Sequence, residues 1–298
     1  NSTGWVEASS SNLGALRIEN ATVSGTVTLQ QNTIIGVNAN STGTLSGVIS
    51  GAFGITKVGG TATSGQGELL LSGVNTFTGP VTVSNGAVRA SNASALGTNA
   101  TVTVNASPTG GGEGNKLAIS GGITIGSGKT VTLNSNSTGD LRSTLINSAN
   151  NNVWAGNIVA AGTGLAQINA ASGTTFTITG GITSTGGAGT GTLFHRGAGA
   201  VVHNGVINLG TDRVFNRTDG GTVTVKLAAE LLLPAGLLLS LIVILSVQGY
   251  VNGHWDPTPV LDAAGAAVMN ADGTPKVIKA FDLWGWRVPF LGSIRSEE

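Results

Sequence analysis

Between Trp5 and Val225 the chain repeats one small pattern: an apolar residue, a small polar residue, another apolar residue, then a glycine-rich break. Val27-Thr28-Leu29, Val81-Thr82-Val83, Val102-Thr103-Val104, Leu117-Ala118-Ile119 and Ile123-Thr124-Ile125 are examples. Val131-Thr132-Leu133, Phe176-Thr177-Ile178 and Val223-Thr224-Val225 continue the series. Alternation with period two places the outer pair of each triplet on one face and the middle residue on the other. Each triplet therefore predicts a strand of about three to five residues with one buried face. Gly-Gly, Ser-Gly and Asn-Gly pairs between them mark turns.

Strands this short need a common core, because none can bury its apolar face alone. A parallel β-helix supplies one: strands wind about one axis, coils stack, and inward residues form aliphatic ladders. With about 20 residues per coil, the lower end of the usual repeat range, residues 1–225 would make about 11 coils. Asn at the corners would form hydrogen-bonded stacks with one another. An antiparallel sandwich is the rival fold, with longer strands and clearer hairpins.

Gly54–Thr98 shows the densest patterning. Its pieces are Thr56-Lys57-Val58-Gly59, Glu68-Leu69-Leu70-Leu71-Ser72-Gly73, Asn75-Thr76-Phe77-Thr78-Gly79, Val81-Thr82-Val83 and Ala95-Leu96-Gly97, with Leu45–Gly51 leading in. This stretch resembles the passenger-associated transport repeat of bacterial autotransporters, a β-strand repeat of their secreted passenger domains. Two departures are visible. Thr61–Gly67 is longer than the family's tight glycine turn and predicts an extra loop, and Pro80 replaces a common glycine. The resemblance covers about 45 residues and implies a right-handed parallel β-helix, export, and a surface or structural role without a reaction. It also implies that Gly73, Asn75, Gly79 and Gly97 are structural turn residues of the repeat.

The pattern changes at Lys226. Leu231–Val247 is an uncharged, leucine-rich run of 17 residues, about 26 Å as a helix. Leu231, Leu238, Ile242 and Val247 mark an apolar surface that goes all round the helix, which predicts a membrane span rather than an amphipathic surface helix. A helix packed on the solenoid is the alternative. Tyr250 and Trp255 fall where an interfacial aromatic belt would lie. Counting basic residues on either side puts the β-helix inside the cytoplasm, but large domains translocate regardless of charge, so an extracytoplasmic β-helix is expected. Residues 253–298 form a small tail. Asp256-Pro257-Thr258-Pro259 predicts a stiff extended exit, and the Asp262 and Asn270–Gly273 regions predict turns. Trp284, Trp286 and Arg287 sit in an aromatic cluster suited to a partner or a membrane surface. The 73 residues from Lys226 onward are too few for the membrane barrel with which autotransporters end.

The organisation is thus 1–225 β-helix, 226–252 apolar transmembrane or docking helix, and 253–298 aromatic tail. Composition narrows the chemistry. Hydrophobic residues make up 40% and charged residues 9%, which argues against disorder. Net charge is zero, so nucleic acid is not an expected partner. With no cysteine, disulfides and thiolate metal sites are excluded. Asn1–Gly4 is not a signal peptide, so the chain starts after processing or is part of a longer one. His195, His203 and His254 are too few for a metal site, and His195 and His203 read as a solvated loop pair. Gly110–Gly114 lacks the Lys and helix of a phosphate loop and reads as a loop. Glu113, Asp140, Asp212 and Asp219 are too dispersed for paired-carboxylate chemistry. Asn-x-Ser/Thr triplets arise by chance in so Asn- and Thr-rich a chain.

No catalytic, cofactor-binding or metal-binding residue is expected. The sequence predicts a non-enzymatic scaffold or adhesin-like module of the bacterial cell envelope, periplasmic or extracellular, held by its C-terminal helix. Expected contacts are protein partners of a membrane or surface assembly, and lipid through the helix. The alternatives are an accessory subunit of a larger membrane complex and, more remotely, a carbohydrate-active β-helix enzyme.

Overall fold

The computed structural model describes residues 14–61, 65–107, 114–135, 142–185, 191–210, 213–217, 220–225, 255–259, 262, 266–283 and 286–289. Two compact units divide the chain, Asn1–Ala228 and Ala229–Glu298.

The first unit is a parallel β-solenoid. Two nine-stranded parallel sheets run along it. One carries Ile55–Val58, Val81–Val83, Thr101–Val104, Thr130–Ser135 and Asn157–Gly162; the other carries Glu68–Leu71, Ala87–Ala90, Asn115–Ile119, Ser143–Asn147, Leu165–Ala170 and Gly191–Arg196. A third, five-stranded sheet runs from Thr124–Ile125 to Thr222–Val225. The predicted triplets lie in or at these strands, except Val27-Thr28-Leu29, which pairs with Ile49–Gly51 in a separate two-stranded sheet, and the pairing is parallel rather than in sandwich hairpins.

The core follows from register. Ile55, Val81, Val102, Val131, Ile158, Ile182 and Ile207 stand above one another in the first sheet. Leu69, Val88, Leu117, Leu145 and Ile168 do so in the second. All but Ile207 are buried at 1% exposure or less. Each Leu- or Ile-sized side chain so placed contributes about 1.5–3 kcal/mol of transfer free energy, offset by the entropy of ordering short strands.

Two expectations need correction. Coils are longer and fewer than about 11. The register step ranges from 19 residues (Leu16 to Ile35) to 29 (Val104 to Leu133), and the long sheets hold nine strands. The extra residues fall between strands, where the ladder does not constrain length. Asn side chains also do not chiefly stack on one another. Several cap a backbone N–H of the neighbouring coil: Asn32 Oδ1 accepts from Gly54 N at 2.9 Å, Asn152 Oδ1 from Ile123 N at 2.8 Å, and Asn157 Oδ1 from Gly181 N at 3.1 Å. At a corner the backbone leaves the ladder, so an amide oxygen there satisfies an otherwise orphaned donor. Asn134 to Asn105, at 3.2 Å, is one side-chain pair of the expected kind.

The extra loop at Thr61–Gly67 is a small hairpin in part, with Gly60–Thr61 antiparallel to Gly65–Gln66.

In the second unit Trp255–Pro259, Val277–Leu283 and Trp286–Pro289 form a three-stranded antiparallel sheet. The expected extended exit at Asp256–Pro259 is its edge strand, where the missing proline N–H groups leave the sheet intact. The expected turn at Asn270–Gly273 is present, with Gly273 at φ 82°. No helix among the described residues is long and apolar enough to cross a membrane. Leu231, Leu238, Ile242, Val247 and Tyr250 lie outside the described residues.

Candidate functional site

From Leu71 to Val81 burial alternates strictly, with Leu71, Gly73, Asn75, Phe77, Gly79 and Val81 inward. Asn75 is 1% exposed and bridges three coils. Its Oδ1 accepts from Ile49 N at 2.8 Å in the coil before, and its Nδ2 donates to Ala95 O at 2.7 Å in the coil after. Gly97 has φ 67°, in the left-handed region, and a methyl there would stand 2.9 Å from Phe77 ring carbons. The closing Ala-Leu-Gly therefore lets the chain turn over the buried Phe77 ring. Gly73 lies on the Gly47 carbonyl and Gly79 on the Phe53–Gly54 backbone, so neither has room for a side chain. Gly73, Asn75, Gly79 and Gly97 thus each pack against a neighbouring coil.

Among the described residues, three titratable side chains stand at inward positions that alternation would assign to apolar ones. Lys57 occupies the column between Ile35 and Val83 and is fully buried. Its Nζ donates to Gly59 O at 2.5 Å and Asn85 O at 2.9 Å. Burial pushes its pKa down to about 7, against the pull of Glu68. The other two are His195 and His203, which are 2% and 1% exposed. His195 continues the Leu145–Ile168 column and His203 the Trp154–Ile178 column. Their Nε2 atoms are 2.7 Å apart, with the rings 79° to each other. This corrects the solvated-loop reading: the pair closes the interior of a late coil. A signal was present, since Leu193 and His195, like Val201 and His203, share inward parity. One Nε2 must carry the proton and the other accept it. Burial pushes His203 down to about 4, so its ring stays neutral at neutral pH.

At another corner Lys129, 8% exposed, reaches three carbonyls of the repeat's closing turn. Nζ donates to Gly97 O at 2.7 Å, Leu96 O at 3.4 Å and Asn99 O. Desolvation lowers its pKa.

On the outer face of the second sheet lies a pocket of about 260 Å³ lined by Arg142, Leu165, Gln167, Phe194 and Arg196. Register places Thr144, Gln167 and Phe194 in one outward column, with Ile146, Asn169 and Arg196 in the next. Thr144, Gln167 and Asn169 are nonetheless buried at 0–2% exposure. Gln167 Oε1 accepts from Thr144 Oγ1 at 3.3 Å and Asn169 Nδ2 at 3.5 Å. Its Nε2 is buried and has no acceptor among the described residues. Alternation had no means of finding this site, because it treats an outward residue as solvated.

Trp255, Trp286 and Arg287 lie in strands of the second unit, in register with Phe281, Leu283 and Asp282. Trp284 and His254 are outside the described residues, as are Glu113, Asp140, Asp212 and Asp219. Of Gly110–Gly114 only Gly114 is described, at φ 67°. Among the described residues no cluster of three or more His, Cys, Asp or Glu could hold a metal. No family model, curated protein or solved structure matches the chain, so the fold and these side chains carry the functional reading.

Proposed function

We propose that this chain is a non-enzymatic scaffold or adhesin-like module of the bacterial cell envelope. Its solenoid is right-handed, the sense that parallel β-crossovers adopt in about 98% of cases. It stands on the periplasmic or extracellular side and is held to a membrane by the Leu231–Val247 segment. The observation that carries the reading is the fate of the repeat's polar and glycine residues. Asn75, Gly97 and Lys57 are engaged in joining one coil to the next. A module built this way offers length and surface rather than a reaction centre.

Removing one coil tests it. Ile158 and Ile182 are register partners, so deleting 158–181 joins equivalent positions. The shortened chain should keep its β-sheet circular dichroism and lose about 4.8 Å of solenoid length by small-angle scattering. Global unfolding would overturn the reading. Protease access in native membrane preparations should place the solenoid outside the cytoplasm. The apolar run Leu231–Val247 supports a second reading, an accessory subunit of a membrane complex. That reading requires fixed partners to co-purify in detergent and to be lost when 231–298 is removed.

A further inference from the structure

The outer-face pocket at Gln167 combines features that coil packing does not use. Gln167 has its Oε1 held by Thr144 and Asn169, which orients the amide and leaves Nε2 as a buried donor without an acceptor among the described residues. A buried unsatisfied donor costs about 1–3 kcal/mol, and a ligand acceptor would relieve that cost. Leu165 and Phe194 supply an apolar wall. Arg142 and Arg196 stand on either side, about 13 Å apart along the strands and about 10 Å apart across the coils, within reach of a central ligand through their long side chains.

Charge is also biased here. The strands Asn115–Ile119, Ser143–Asn147, Leu165–Ala170 and Gly191–Arg196 contain Lys116 and Arg196 and no acidic residue. This occurs in a chain whose net charge is zero. Both lining arginines have contacts of their own; they bring guanidinium groups to the pocket wall, and Gln167, itself fully buried, contributes the unpartnered donor. The volume of about 260 Å³ lies just below the range for drug-sized ligands, and suits a single ring.

We propose that this pocket binds a small organic carboxylate that carries a ring. The carboxylate lies in the field of Arg142 and Arg196, the ring lies against Phe194 and Leu165, and a ligand oxygen accepts from Gln167 Nε2. Guanidinium groups favour carboxylates and phosphates alike; the apolar wall selects against inorganic phosphate. This goes beyond the scaffold reading and does not rest on it.

The test is calorimetric titration of the purified full chain with benzoate, glucuronate, glucose and inorganic phosphate. Benzoate or glucuronate should bind with a millimolar or tighter Kd, at least about tenfold better than glucose and phosphate. Which of the two binds identifies the ligand as an aromatic acid or a sugar acid. Gln167→Met and Arg196→Gln should each weaken that binding about tenfold or more. Absence of binding by both acids, equal binding of phosphate or glucose, or unchanged affinity in both variants would overturn the proposal. Neither result bears on the coil deletion, which reports on the interior.

Discussion

Acidification from about pH 7.5 to about pH 5 should destabilise the solenoid through His203 alone by about 2 kcal/mol. In the unfolded chain this imidazole takes up a proton near 6.5, whereas in the folded chain it holds off until about 4. Below 6.5 the unfolded state therefore binds more protons, and stability falls as pH falls. The contribution is fully present above 6.5, declines down to about 4 and then levels off. Its full extent is about 3 kcal/mol, at about 1.4 kcal/mol per unit, and about two thirds of that lies above pH 5. Such a loss is a large fraction of a typical net stability of about 5–15 kcal/mol. Urea denaturation at several pH values measures it, with His203→Leu as the comparison. The variant starts less stable, because His195 loses its Nε2 partner, but its pH slope should be shallower. Amide exchange should show the acid-induced opening first around 191–203, since coils in a solenoid depend mainly on their neighbours. Identical slopes in both proteins between about pH 7.5 and pH 5 would refute the reasoning.

Asn75→Ala should cost about 2–4 kcal/mol in denaturant unfolding, because it leaves the Ile49 N–H and the Ala95 carbonyl buried without partners; a loss below about 0.5 kcal/mol would contradict the bridging role. Gly97→Ala should cost about 1–3 kcal/mol for its left-handed φ, and more where Phe77 must move. Lys57 binds fewer protons in the folded chain than in the unfolded chain between about 7 and 10.5. Wild-type stability should therefore rise from about pH 7 to pH 9, while Lys57→Met should be flat over that interval.

The solenoid was legible because period-two alternation reports directly on which side chains meet. Val81, Val83, Val131 and Leu133 face inward as their triplets imply. The number of coils was not legible. Alternation says nothing about how many residues separate one strand from the next, and corners absorb between-strand length freely. The Asn role was misread for a related reason: composition places Asn at corners, but the geometry there offers it backbone N–H groups before it offers another Asn. His195, His203 and Lys57 show the opposite failure. Their parity was readable, yet a polar residue on an apolar face gives no hint of the partner across the coil. Gln167 was hidden altogether, since its burial depends on cover over the sheet's outer face. Leu231–Val247 was legible only as composition.

The register step of 19 to 29 residues also governs how such a chain can grow and fold. Partners along the ladders are separated by one winding, whatever the total length. Appending windings therefore lengthens the protein without lengthening the search any segment makes for its neighbour. Folding speed, which falls as contacting residues grow more distant in sequence, should then depend on the largest winding rather than on the size of the whole. The slowest steps would be the 29-residue excursions, from Val88 to Leu117, Val104 to Leu133 and Ile125 to Trp154.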